Sequence, residues 1–188
     1  AIGVCEGQQY DMGFEARQDV TTDAYLNMIR LKTSVLLGAC TQIGALLGGA
    51  GEAEAKEMYE FGVDLGISFQ LKDDYLDTFG DAEKFGKKIG GDILANKKTY
   101  LYLKALEKAG GQQKEELIRW YSEPASDPDA KIREVIQIFK TLEVDADILD
   151  RADHYSGQAT AILEALPVDK KRKGPLESLA RMLLGREH

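Results

Sequence analysis

Three aspartates lie inside an otherwise apolar helical stretch, and this run constrains the fold more than any other part of the chain. The stretch reads Phe69-Gln70-Leu71-Lys72-Asp73-Asp74-Tyr75-Leu76-Asp77. Asp73 and Asp77 are four residues apart, so on a helix they lie one turn apart on the same face. Acids in a core helix are unfavourable unless they are neutralised, which indicates a helix that lines a metal-binding cavity.

The chemistry of this run favours magnesium. Carboxylate oxygens are hard ligands, and no His or Cys lies nearby, so the expected ion is Mg²⁺, which keeps several waters and bridges protein carboxylates to phosphate groups. A segment rich in lysine and glycine follows: Gly86, Lys87, Lys88, Gly90, Gly91, Lys97 and Lys98. Together the two stretches predict a site for Mg²⁺ and diphosphate, with a solvated acidic helix face as the alternative interpretation.

The remaining sequence has the pattern of an all-α domain. Of the 188 residues, 44% are hydrophobic and 30% are charged, which is typical of a globular chain. All four prolines lie in the second half, and neither long strand-like alternation nor an Asn-Gly or Asp-Gly hairpin signal is present. We therefore predict helices at 23–49, 52–77, 98–109, 112–122, 128–143, 145–166 and 175–185.

Glycines and basic residues indicate the contacts and turns of this bundle. Gly62 and Gly66 predict a close helix contact or a kink, because glycine is otherwise unfavourable inside a helix. The Gly-rich stretch 80–96 is predicted to be a long functional loop. Lys88 in this stretch and Lys98 just after it are expected to be solvated. The basic run 170–175 is predicted to be an exposed turn.

Charge and cysteine content argue against several partners and compartments. The net charge is −8, which argues against a general nucleic-acid or anionic-membrane surface. No apolar run reaches the roughly 18–20 residues that a membrane-spanning helix needs. Cys5 and Cys40 have no metal-binding spacing, so a reducing cytoplasmic compartment is the simplest interpretation.

Four motifs in a fixed order carry a family resemblance. They are Gly7-Gln8, Lys32-Thr33, Phe69-Gln70-x-x-Asp73-Asp74-x-x-Asp77 and Gly86-Lys87-x-x-Gly90-x-Asp92-Ile93-x-x-Asn96-Lys97-x-Thr99. Taken alone, Lys32 would be interpreted as a surface lysine. In this order, the motifs resemble those of the trans-isoprenyl diphosphate synthases, the polyprenyl synthetase family that includes farnesyl and geranylgeranyl diphosphate synthases. The match covers roughly residues 2–106.

The resemblance implies a fold, a reaction and an assembly. The fold would be an isoprenoid (terpenoid) synthase-like helical bundle, with residues 1–188 forming the C-terminal part of a single domain. The reaction would be Mg²⁺-dependent prenyl transfer, in which an allylic diphosphate condenses with isopentenyl diphosphate to give a longer trans-polyprenyl diphosphate. Family resemblance also implies a homodimer.

The resemblance further implies a role for each matching residue. Asp73 would bind Mg²⁺ directly, while Asp74 and Asp77 would hold its water shell or orient nearby lysines. Thr33 and Gln70 would lie beside the reacting carbons. The catalytic residues would be Lys32, Thr33, Gln70, Asp73 and Lys87. The substrate-binding residues would be Gln8, Lys32, Thr33, Phe69, Gln70, Lys87 and Lys97, with Phe69 lining an apolar pocket.

One part of the family pattern is missing from the chain. The family carries a first aspartate-rich motif, Asp-Asp-x-x-Asp followed by paired arginines, which this sequence lacks. We therefore expect the C-terminal part of a synthase, without its N-terminal helices and with little or no activity by itself. The alternatives are a non-catalytic or regulatory subunit of a heteromeric prenyl synthase and a terpene cyclase-like enzyme. Asp77 and the lysine segment after it favour the synthase over the cyclase.

Overall fold

The chain folds into a series of helices in the computed structural model, which describes residues 1–81, 89–122 and 127–185. In chain order these are α1 (Ile2–Ala16), α2 (Thr22–Ile29), a π-helix (Arg30–Ser34), α3 (Val35–Leu47), α4 (Glu52–Phe79), α5 (Gly91–Leu94), α6 (Tyr100–Lys108), α7 (Gly111–Ser122), α8 (Pro128–Thr141), α9 (Val144–Ala165) and α10 (Lys170–Leu184). No β-strand occurs in these ranges, and the predicted all-α class is confirmed.

The long helix α4 is the centre of the bundle. Its buried residues include Phe61, Leu65 and Leu71, and the helix packs against both α3 and α9. The hydroxyl of Ser68 on α4 donates a 2.8 Å hydrogen bond to the carbonyl of Ala152 on α9. Because α4 also carries the aspartate run, this packing fixes the direction in which the carboxylates point.

Two glycines of α4 confirm the predicted close helix contact. A Cβ atom on Gly62 would lie 2.7 Å from the carbonyl oxygen of Leu37 on α3. A Cβ atom on Gly66 would lie 2.8 Å from Cα of Ser34 in the π-helix. Backbone occupies the space that a side chain would need, so these positions require glycine for packing rather than for flexibility.

The helix predicted over 23–49 is observed without a break over residues 22–47, but it contains a wide turn between α2 and α3. Residues Arg30–Ser34 form a π-helix, a rare arrangement that is frequent at functional sites. The turn lies directly against α1 at Gly7, where a Cβ atom would lie 2.7 Å from Cα of Lys32. Lys32 and Thr33 are therefore presented by a widened turn that packing against α1 supports.

The basic run 170–175 is helical, so the prediction of an exposed turn is wrong. It forms the first part of α10. Asp169 caps this helix by accepting a 2.7 Å hydrogen bond from the backbone N–H of Lys171. The Lys173 ammonium donates a 2.8 Å hydrogen bond to the carbonyl of Glu164. These contacts and the packing of apolar residues further along α10 override the local turn signal.

The other predicted helices agree with the structure to within two residues at each end. The described part of the stretch 80–96 includes a short helix, α5, which the sequence did not indicate. Over the parts of the chain that the structure describes, no helix has both the length and the apolar character needed to cross a membrane.

Candidate functional site

A cavity of about 280 Å³ lies between α1, the π-helix, α4 and the residues in and after α5. Its described lining is strongly charged. The lining carboxylates are Asp11, Glu15, Asp73, Asp74, Asp77 and Asp92. The lining ammonium groups are Lys32, Lys97 and Lys98. Carboxylates therefore outnumber ammonium groups two to one among the described residues of this cavity.

Asp73 and Asp77 lie one turn apart on α4, and both line the cavity. Asp73 is exposed and accepts no hydrogen bond from any described residue. Asp77 is half-buried, and its Oδ2 accepts a 2.9 Å hydrogen bond from the backbone N–H of Asp92. Burial raises the pKa of Asp77, although this hydrogen bond opposes the change. Asp73 is therefore the more accessible of the two carboxylates.

Asp74 is buried at the edge of the cavity. The Tyr25 hydroxyl donates a hydrogen bond to its Oδ2, and the Gln70 amide donates one of 3.2 Å to its Oδ1. Burial raises the pKa of Asp74 to about 7, while the hydrogen bonds from Tyr25 and Gln70 oppose the change. Both oxygens of Asp74 already have protein partners, so this residue orients its neighbours more directly than it reaches a ligand.

Thr33 and Gln70, both predicted to be catalytic, are brought together across the cavity. The Thr33 hydroxyl in the π-helix donates a hydrogen bond of 3.4 Å to Oε1 of Gln70 on α4. Since Gln70 also donates to Asp74, a continuous set of hydrogen bonds runs from Thr33 to Tyr25. These contacts fix the side-chain amide of Gln70 in one orientation.

Two lysines of the cavity already have carboxylate partners. The Nζ atom of Lys32 lies 2.6 Å from Oδ2 of Asp11, and that of Lys97 lies 2.5 Å from Oδ1 of Asp92. Burial lowers the pKa of Lys97, but the hydrogen bond and the charge of Asp92 more than offset this, so the pKa is raised overall. Lys97 therefore remains a cation at the cavity wall.

Lys98, which was predicted to be solvated, is partly exposed, but its ammonium is also bound to protein carbonyls. Its ammonium donates to the carbonyls of Phe14 at 2.8 Å and Glu15 at 3.2 Å, and also to the carbonyl of Arg17. These carbonyls lie at the C-terminal end of α1, where a helix lacks internal donors and a cation is favourable. The sequence could not indicate this contact, because the partners lie 81 to 84 residues away.

Three predicted substrate-binding residues are not part of the described lining. Gln8 is exposed on α1, and Phe69 is half-buried on α4, but neither lines the cavity. Lys87 lies outside the described residues, as does Lys88. Their roles stay predictions.

Several lining residues were not assigned a role from the sequence, among them Asp11, Glu15, Tyr25 and Asp92. Asp92 belongs to the motif that carries the family resemblance, and Asp11 lies three residues after Gln8 on one helix, so a local signal existed for both. Tyr25 and Glu15 gave no local signal, since only tertiary contacts bring them to the cavity.

The carboxylates fit magnesium only if the ion has further ligands. Across the described residues, no three side chains of the types His, Cys, Asp and Glu are grouped closely enough to bind one metal ion. Asp73 and Asp77 can supply oxygen ligands from successive turns of α4. Because Mg²⁺ commonly takes its remaining ligands from water and phosphate, the site suits an ion that a phosphorylated ligand completes.

Sequence comparisons identify relatives of the whole chain. A family model described as polyprenyl synthetase matches residues 1–139. A short chain isoprenyl diphosphate synthase of Methanothermobacter thermautotrophicus is 37% identical over 187 residues, which is 100% of this chain and 56% of that protein. The chain thus spans little more than half the length of this relative.

Structural comparisons give the same result. A solved structure of geranylgeranyl pyrophosphate synthase has a TM-score of 0.91 at 42% identity and covers 100% of this chain and 58% of that one. A polyprenyl synthase from Caulobacter crescentus CB15, complexed with calcium and isoprenyl diphosphate, has a TM-score of 0.87 at 28% identity. It covers 99% of this chain and 56% of that one.

Proposed function

Because the chain belongs to the polyprenyl synthetase family, we propose that it supplies the allylic-diphosphate and metal site of a trans-prenyl diphosphate synthase. In the proposed reaction, the carbon–oxygen bond of the allylic diphosphate breaks and its electron pair leaves with the diphosphate. The double bond of isopentenyl diphosphate then forms the new carbon–carbon bond. Loss of one proton from the adduct completes the longer trans-polyprenyl diphosphate.

The observation that carries this proposal is the charge arrangement of the cavity. Six carboxylates face three ammonium groups among its described residues. Bare diphosphate is an anion and would be repelled by this surplus, whereas diphosphate with a divalent cation is attracted by both kinds of side chain. The Caulobacter relative was solved with calcium and isoprenyl diphosphate together, which agrees with such a combination.

We assign the metal position to Asp73 and Asp77, with Asp74 fixed behind them by Tyr25 and Gln70. Bound Mg²⁺ would supply positive charge that stabilises the diphosphate as a leaving group. Asp73 is the primary ligand in this proposal, since it is exposed and both its oxygens lack protein donors among the described residues. Asp77 would supply a second oxygen ligand from the next turn of α4.

The remaining residues of the proposed site act on the allylic group of the substrate and on its diphosphate oxygens. Lys32 and Lys97 would exchange their carboxylate partners for diphosphate oxygens, which stabilises the charge that develops on the leaving group. The oxygen atoms of Thr33 and Gln70, held near each other, would direct their negative dipole ends at the allylic cation.

Calorimetry and an activity assay test the proposal together. Inorganic pyrophosphate should bind the chain in a saturable manner when Mg²⁺ is present and not when the metal is chelated. Labelled isopentenyl diphosphate with dimethylallyl diphosphate should give little or no product, because the 188-residue chain carries one aspartate-rich motif.

Each other outcome has a defined meaning. No binding with Mg²⁺ would overturn the proposed site. Condensation at an ordinary synthase rate would overturn the expected inactivity of this chain. Release of a hydrocarbon from a longer allylic diphosphate without isopentenyl diphosphate would support the terpene cyclase-like alternative instead. Binding and turnover that appear only after a second, different chain is added would support the regulatory-subunit alternative.

We also propose a homodimer in the cytoplasm, supported by the exposed face of α3. Leu36, Ile43 and Leu47 are 58%, 55% and 85% exposed, and Cys40 between them is an exposed free thiol. These positions repeat at intervals of four, three and four residues, the spacing of a coiled-coil seam that pairs with its own copy. Free thiols agree with a reducing compartment.

Sedimentation velocity tests the dimer. The chain should sediment as a dimer at micromolar concentration, and the double variant Leu36→Lys, Leu47→Lys should sediment as a monomer because charges cannot pack in an apolar seam. Met182→Lys on α10 alters another exposed apolar residue and should leave the dimer intact. A monomer for the unaltered chain would contradict the proposal.

A further inference from the structure

Lys131 on α8 is a buried lysine that the proposed chemistry does not use. Its side chain and backbone together are 2% exposed. Among the described residues no carboxylate lies within ion-pair distance of its ammonium. The ammonium instead donates a hydrogen bond to Oδ1 of Asn96 and lies 5.4 Å from the centre of the Tyr121 ring. A charge is unfavourable in such a place unless polar groups surround it, and Asn96 is the hydrogen-bond acceptor for Lys131 among the described residues.

Its partner Asn96 has an unusual backbone conformation. The φ angle of Asn96 is 54°, in the left-handed region that non-glycine residues rarely adopt and that surrounding contacts must support. Asn96 immediately precedes Lys97, whose backbone N–H donates a 3.0 Å hydrogen bond to the carbonyl of Asp92. The backbone conformation of Asn96 therefore determines the position of the Lys97 Cα atom, from which the Lys97 side chain extends.

The segment Gly90–Lys97, here named the diphosphate turn, is fixed on two sides. Towards α4, the backbone N–H of Gly90 donates a hydrogen bond of 2.7 Å to the carbonyl of Asp77. The backbone N–H of Asp92 donates a hydrogen bond of 2.9 Å to the side-chain carboxylate of Asp77. Towards α8, a Cβ atom on Gly90 would lie 2.9 Å from Cγ1 of Ile132, the neighbour of Lys131. Lys131 contacts the remaining end of the turn, at Asn96.

We propose that Lys131 is a positioning residue for the diphosphate site. By holding Asn96, it keeps the diphosphate turn in the shape that directs Lys97 and Asp92 into the cavity. Lys131 does not line the described cavity and touches no ligand in this proposal. The identity of the ligand rests on the proposed function, whereas the positioning of the turn does not depend on it.

Two measurements on the whole chain test this role. The first is the affinity for pyrophosphate with Mg²⁺ by calorimetry, and the second is amide hydrogen exchange over the diphosphate turn. Lys131→Met replaces the ammonium with a flexible apolar group that tolerates burial. We expect it to bind about tenfold more weakly, the size expected for loss of one charge-assisted hydrogen bond. Exchange should accelerate in the turn and not in α4.

Matched variants separate positioning from a general loss of stability. Lys140→Met removes an exposed lysine from the same helix and should leave both measurements unchanged. Asn96→Gly tolerates the left-handed backbone but removes the acceptor, so it should weaken binding as Lys131→Met does, and the double variant should be no weaker than either. Asn96→Asp keeps an acceptor for Lys131 and should bind within about twofold of the wild type.

The outcomes remain decisive if a variant misfolds or the wild type binds nothing. Should Lys131→Met fail to fold, the pair Asn96→Gly and Asn96→Asp carries the test, because Asn96 is exposed. Unchanged affinity and exchange in Asn96→Gly would overturn the proposal. If the wild type does not bind pyrophosphate, the proposed function fails, and hydrogen exchange of the diphosphate turn alone decides whether Lys131 positions it.

Discussion

Replacing Gly62 with leucine will lower the free energy of unfolding by about 3 kcal/mol, because α3 and α4 approach each other so closely there that no space is left for a side chain. The first added carbon would already lie 2.7 Å from the Leu37 carbonyl oxygen. That atom belongs to helical backbone and cannot move aside as a flexible side chain can. Urea unfolding followed by circular dichroism measures the change.

The control for this substitution is Gly157→Leu. Gly157 lies inside α9, which also packs against α4, and nothing lies within 4 Å of a Cβ atom placed there. Leucine at this position should stabilise the protein by up to about 1 kcal/mol, since glycine is a poor helix former. Equal effects at the two positions would mean that helix propensity, and not the close contact, decides the stability.

The second large effect is expected for Asp73→Asn. Removing this carboxylate charge should weaken Mg²⁺-dependent pyrophosphate binding about 100-fold, which corresponds to roughly 2.7 kcal/mol. The size follows from the proposed role of Asp73 as a direct ligand to a divalent ion, with Asp77 as the other proposed protein ligand. Because Asp73 is exposed, the substitution should leave the unfolding temperature nearly unchanged.

Asp153→Asn on α9 is the matched control for charge. Its carboxylate side chain is 71% exposed and lies 3.7 Å from Lys72, away from the described cavity lining. It removes the same charge from the protein and should leave pyrophosphate binding unaltered. If Asp73→Asn also leaves binding unaltered, the aspartate run is a solvated acidic face, the interpretation that we set aside.

Most of the fold could be predicted because it follows from local patterns. The helix over 52–77 is observed as Glu52–Phe79, and its glycines correctly indicated a close helix contact. The π-helix could not be predicted, because its support is the approach of Gly7 on α1, a tertiary contact. The start of α10 was missed for a similar reason, since a proline and four basic residues resemble a turn until packing is known.

The candidate site could be predicted only in part. Asp73, Asp77, Lys32 and Lys97 line one cavity, as their motifs indicated, although their roles remain predictions. The partners that orient these groups come from distant parts of the chain, as with Tyr25 and Asp74, which are 49 residues apart. A motif identifies side chains that are capable of the chemistry, but it does not identify the neighbouring residues that hold those side chains in position.

The ion pairs of Lys32 with Asp11 and of Lys97 with Asp92 have a consequence for any anion that enters. When an anion binds at these lysines, each ammonium group exchanges a carboxylate partner for an oxygen of the anion. The anion does not enter a site in which these two cations are unpaired. The net free energy of binding is the difference between two sets of ion pairs. The affinity therefore depends as much on the carboxylates that lose a partner as on the oxygens that gain one.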